Sequence, residues 1–200
     1  MTPGALFHGP GEGGPAGLGR IDVRIYVRIP PVGGRAARDA GRMTAYTARP
    51  LTPTVLKELR GRDDAGRPMA PFTDEEGDAP LRCCLRRSMP GERIALVAYA
   101  PLRRWAAETG ADPGAYDEQG PVFVHADDCS GPDTDTLPFT NAHRTVRRYS
   151  ADGRILGGRL VEDETGFVPA FTEAFADPEV ALVQVRAVEY GCFLYEVRRP

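Results

Sequence analysis

Arg144-Thr-Val-Arg-Arg-Tyr-Ser-Ala-Asp-Gly-Arg-Ile-Leu-Gly-Gly-Arg-Leu-Val-Glu162 consists of two β-prone runs joined by Ala151-Asp152-Gly153. Glycine accepts the positive φ that a tight hairpin turn demands, so Arg144 to Tyr149 and Arg154 to Glu162 read as consecutive antiparallel strands. The C-terminal region repeats the arrangement, with Val180 to Val188 and Cys192 to Arg198 flanking Glu189-Tyr190-Gly191. Parallel neighbours would need a crossover of about a dozen residues or more, usually helical, and only two candidate helices exist. The expected class is therefore α+β, built on a single, mostly antiparallel sheet with two short helices.

Working outward, Ile21, Val23, Ile25, Val27 and Ile29 alternate with polar or amphipathic residues, the period of a strand with one face on a core. Thr52-Pro53 reads as an N-cap followed by proline at N1, opening a short helix that ends near Gly61. Residues 61–80 lack periodicity and read as a long exposed connection. Arg93 to Ala100 is apolar on both faces, which predicts a central strand covered on each side, and Pro101 ends it. Trp105 sits in what reads as one helical turn, and Pro121 to His125 forms a short strand. Phe167, Phe171, Ala174 and Phe175 recur at helical spacing until Asp177-Pro178. Residues 1–20 hold seven glycines and three prolines and too little apolar surface to offset ordering entropy, so a disordered leader is expected before one globular domain over 21–200.

Composition narrows the function classes. With 42% hydrophobic and 26% charged residues, 200 residues suffice for one core without disulfide staples. The chain has no apolar run near the roughly 18 residues of a membrane span and no basic-then-apolar leader, so a cytoplasmic protein without membrane attachment is expected. Lys57 is the sole lysine among 25 basic residues, but the net charge is −3 and acids interrupt the arginines, which argues against a nucleic-acid partner. Gly9-Pro-Gly-Glu-Gly-Gly14 has dinucleotide-motif spacing, yet it precedes the first strand and opens no helix, so it lacks the context that binds pyrophosphate.

The chemistry that remains lies in thiols, an imidazole and arginines. Cys84, His125 and Cys129 are candidates for thiol or metal chemistry, and with Cys192 they reach the four N/S ligands of a tetrahedral zinc site. Arg82, Arg86 and Arg87 flank Cys84 and would favour its thiolate if they converge on it. The same cysteines equally suit plain core positions, since cysteine is among the most buried residue types. A second reading uses planar guanidinium forks, which match carboxylate or phosphate groups. Arg82, Arg86, Arg148 and Arg186, with Tyr99, Tyr116 and His125, would then form a cleft for a small anionic ligand or partner. This binding module is the leading functional expectation; a thiol- or zinc-dependent enzyme on Cys84, His125 and Cys129 is the alternative.

Cys84-Leu-Arg with Pro90-Gly-Glu92, Gly120-Pro-Val-Phe with His125 and Cys129, Arg148-Tyr149 with Asp152-Gly153, and Gly191-Cys192-Phe193 together resemble a bacterial family known as domain of unknown function 1203. The resemblance extends over about residues 21 to 199. It implies one compact domain and points to Cys84, His125, Cys129 and Cys192 as positions to test, and it implies no substrate, cofactor or mechanism.

Overall fold

The computed structural model describes residues 46–199; the expected leader and the alternating segment from Ile21 to Ile29 lie outside them. Thr52 caps helix α1 (Pro53–Gly61) as its sequence requires, its side-chain oxygen accepting the Val55 N–H at 3.3 Å. Strands β1 (Pro71–Asp74), β2 (Glu92–Tyr99) and β3 (Gly120–His125) form one antiparallel sheet in that order. Helix α2 (Pro101–Thr109) separates β2 from β3. Strands β4 (Arg144–Ser150), β5 (Ile155–Val161), β6 (Val180–Ala187) and β7 (Phe193–Arg198) form a second antiparallel sheet, ordered β5-β4-β6-β7, and helix α3 (Phe167–Ala176) lies between β5 and β6 in sequence.

The expectation of α+β with antiparallel pairing holds, but among the described residues two sheets and three helices replace one sheet and two helices. Each sheet completes its ladders among near neighbours in sequence, and the irregular stretch from 126 to 143 carries the chain from one to the other. Pro101, which ends β2, also starts α2 at N1, where its missing N–H costs nothing. Gly110 closes that helix in the left-handed conformation at φ 77°, donating its N–H to the Ala106 carbonyl. Trp105 thereby belongs to a nine-residue helix rather than a single turn. The connection over 61–80 is also more structured than its composition suggests. It contains β1, and its aspartates take N–H groups of the neighbouring strand end: Asp63 from Ala98 at 3.0 Å and Asp64 from Ala100 at 2.7 Å.

Packing follows the apolar periodicities. Phe167, Phe171 and Phe175 line one face of α3 and meet Val146, Val183, Val185 and Tyr195 of the four-stranded sheet. Leu56 and Leu59 of α1 pack with Ile94, Val97, Val122 and Val124 of the other sheet, and Phe193 of β7 enters that cluster beside Tyr99 at a ring separation of 5.4 Å. Each large apolar side chain buried this way contributes about 1.5–3 kcal/mol. Strand β2 is central in its sheet, as expected, but it is not covered on both sides: Leu96 remains 50% exposed. No helix among the described residues is long and apolar enough to cross a membrane.

Candidate metal centre

The segment from Pro80 to Arg87 folds back on itself, with Pro80 bridged to Arg87, the Leu81 N–H donating to the Arg86 carbonyl and the Leu85 N–H to the Leu81 carbonyl. Leu85 takes a left-handed φ of 57°, a conformation that costs a non-glycine residue about 1 kcal/mol or more and persists only where its surroundings impose it. Adjacent side chains diverge in an extended chain. Within this turn both Cys83 and Cys84 face β3, their sulfurs 3.4 and 3.8 Å from Nδ1 of His125. Cys129, four residues beyond the strand end, completes a set whose donor atoms all lie within 4.8 Å of one another. Zinc–sulfur bonds of about 2.3 Å and zinc–nitrogen bonds of about 2.0 Å imply tetrahedral edges of about 3.5–3.8 Å, so the His125 distances already suit one central ion.

Without a metal the surroundings favour the thiolate at Cys84 alone and the protonated thiol at Cys83 and Cys129. Each sulfur accepts a main-chain N–H: Cys83 from His125 at 3.3 Å, Cys84 from Arg86 and Cys129 from Gly131. A hydrogen bond from the Cys83 thiol, opposed by burial and assisted by the Arg86 N–H, pulls Cys84 down to about 6. The reciprocal bond and burial push Cys83 strongly up, and burial raises Cys129 as well. Three thiolates in one buried cluster repel one another; a divalent cation removes the conflict, and metal binding then releases their protons. Behind the imidazole, Nε2 of His125 lies 3.6 Å from Oε2 of Glu92, and Arg86 holds that carboxylate with bonds of 2.7 and 3.0 Å. Nη2 of Arg86 stands nearer the same nitrogen at 3.4 Å, so the Arg86–Glu92 pair backs the ring without fixing its tautomer. The Arg86 bonds hold the Glu92 carboxyl at about 2, well below the usual range.

A family model described as a protein of unknown function (DUF1203) matches residues 78–199, more than half of the chain. The chain belongs to this family. No curated protein and no solved structure matches it significantly. The match to DUF1203 begins at residue 78, later than the resemblance over residues 21 to 199, and it includes all four cysteines and His125.

Within this DUF1203 domain the thiols and imidazole brought together differ from the set its sequence suggested. Cys84, His125 and Cys129 converge, whereas Cys192 lies in the turn before β7, outside the cluster, with its nearest polar partner the Tyr190 carbonyl at 3.9 Å. Cys83 takes the fourth position. Its adjacency to Cys84 disguised it, because only the reversal at Leu85 turns neighbouring side chains to the same side. The arginine and histidine positions are distributed rather than gathered. Arg86 stays beside His125 at 3.4 Å, and with Cys84 it borders a cavity of about 400 Å³. Arg82 is buried and donates to the carbonyls of Phe193 and Pro80. Arg186 pairs with Glu118 at 2.5 Å and shares a different cavity, of about 310 Å³, with Tyr99. Arg148 lies over Gly157 on the four-stranded sheet, and Tyr116 is exposed in a short 3-10 turn after α2.

Proposed function

We propose that the protein is a zinc-binding module in which Cys83, Cys84, His125 and Cys129 hold one tetrahedral ion. The observation that carries this reading is the convergence of four N/S donor atoms from three chain segments within 4.8 Å. Three cysteines and one histidine form a ligand set of structural zinc, and four protein ligands leave no open position for substrate. The ion would serve as a clamp. It ties the 80–87 turn, whose Arg82 N–H also donates to the Phe123 carbonyl of β3 at 2.9 Å, to the loop after β3, which Arg60 of α1 holds through Oδ1 of Asp128 at 3.0 Å and the Asp127 carbonyl. Soft thiolates and tetrahedral geometry favour zinc over magnesium or calcium, which prefer oxygen ligands at higher coordination number.

Metal analysis of protein purified without chelator or added metal tests this directly. The expected result is one zinc per chain in the wild type and in Cys192→Ser, and loss of zinc in Cys129→Ser and Cys83→Ser. Cobalt substitution should give tetrahedral d–d bands together with thiolate-to-cobalt charge transfer. Folded protein that carries no metal and takes up none, with three sulfurs free to alkylate, would overturn the assignment.

A further inference from the structure

A separate cavity of about 540 Å³ opens between the two sheets, within the range of small-molecule sites of about 300–1,000 Å³. Leu96, Phe123, Phe139 and Leu194 supply apolar wall, and three guanidiniums line it, Arg87 paired with Asp78 at 3.0 Å, Arg144 with Glu189 at 3.6 Å, and Arg82. Arg82 is only 2% exposed, yet no carboxylate lies within ion-pair distance of it among the described residues. A buried cation without a counter-ion is expensive, and such charges in proteins are ordinarily paired.

The donor pattern narrows the ligand. Arg82 commits Nε and Nη1 to the Phe193 and Pro80 carbonyls, and Arg144 commits Nε and Nη1 to those of Phe139 and His143. Each therefore keeps an Nη2 unspent, and two single donors suit the two oxygens of a carboxylate. Leu96 at 50% exposure and Tyr190 at 88% are large apolar side chains left in water at the same cavity, where a hydrocarbon body would cover them. We propose that this cavity binds a small monocarboxylic acid with an aliphatic or aromatic body, its carboxylate between Arg82 and Arg144 and its apolar part along Leu96 and Phe123. None of the four proposed zinc ligands lines it, although Arg82 and Arg87 share the 80–87 turn with Cys83 and Cys84, so binding is tested on protein of measured zinc content.

Calorimetric titration with decanoate, kept below its micellar concentration, tests the proposal against acetate, inorganic phosphate and 1-decanol. Decanoate should bind, with each of the other three at least tenfold weaker, because both the charge and the hydrocarbon are required. Arg87→Gln, at a half-exposed position, should weaken decanoate severalfold. Leu96→Glu places a like charge in the cavity at an exposed site and should abolish binding, with thermal midpoint and zinc content unchanged. Arg144→Gln should also lose binding; since that residue is buried, the exposed-site variant keeps the test independent of folding. Phosphate equal to decanoate would reduce the cavity to a plain anion site, decanol equal to decanoate would remove the arginines from recognition, and no decanoate binding would refute the proposal outright.

Discussion

Stripping zinc should lower the thermal midpoint by about 8–16 °C while leaving the protein folded at 25 °C. Binding to the native state alone contributes RT ln(1 + [L]/Kd), about 4.1 kcal/mol when free metal stands a thousandfold above Kd. In a chain of about 150–250 residues each kcal/mol shifts the midpoint by about 2–4 °C, which gives that interval. The protein should survive the loss because the core under α3, with Phe167, Phe171, Val183, Val185 and Tyr195 fully buried, contains none of the ligands, and in the other core Cys83 and Cys84 are two small members among larger aliphatic side chains. The damage should be local. After removal of metal with a chelator, hydrogen exchange should accelerate over residues 80–87 and 126–131, where ligand turns lose their tether, and remain slow in β6, whose face is sealed under α3. Circular dichroism melts with and without chelator, paired with exchange mass spectrometry, read both effects. A midpoint unmoved by chelation of zinc-loaded protein, or faster exchange spread evenly through both sheets, would refute the clamp.

Three further outcomes follow from single contacts. The Tyr195 hydroxyl is buried without a partner among the described residues, so Tyr195→Phe should raise stability by about 1 kcal/mol in denaturant titration, and a loss would place an unseen partner there. Gly153 turns the β4–β5 hairpin at φ 84°, and an added Cβ would stand 2.9 Å from the Cβ of Pro113; Gly153→Ala should cost at least about 1 kcal/mol, whereas a neutral effect would contradict the turn geometry. Arg86 depresses the Glu92 carboxyl to about 2 from 4.5, so the contribution of that link is complete above pH 4.5 and fades as pH falls toward 2. In zinc-free protein the gap in thermal midpoint between wild type and Glu92→Gln should therefore narrow on acidification through that window, and a constant gap would exclude the assigned ion pair.

Local features were legible in the chain because they depend on residues a few positions apart. Thr52-Pro53 opens α1, Ala151-Asp152-Gly153 turns a hairpin, and the spaced phenylalanines of α3 form its buried face. The same logic placed β2, β3, β6 and β7 to within a residue or two. The short β1 was not legible: Pro71–Asp74 has no strong alternation, and antiparallel pairing with β2 alone makes it a strand. The expectation that β2 is sealed on both faces also exceeded what periodicity carries, since a run of apolar residues cannot reveal that one side meets an open cavity.

Taken alone, the sequence established the antiparallel α+β class and most element positions, which follow from spacing and backbone preference, and it singled out three of the four side chains that converge, Cys84, His125 and Cys129, as candidates. Among the described residues, tertiary structure decided that the strands divide into two sheets, that Cys83 rather than Cys192 joins Cys84, His125 and Cys129, and that Arg82 is buried near Arg144 without a carboxylate in ion-pair reach. Those outcomes depend on where a reversal at Leu85 and the meeting of β3 with β7 aim side chains from distant segments, and no local propensity encodes that direction.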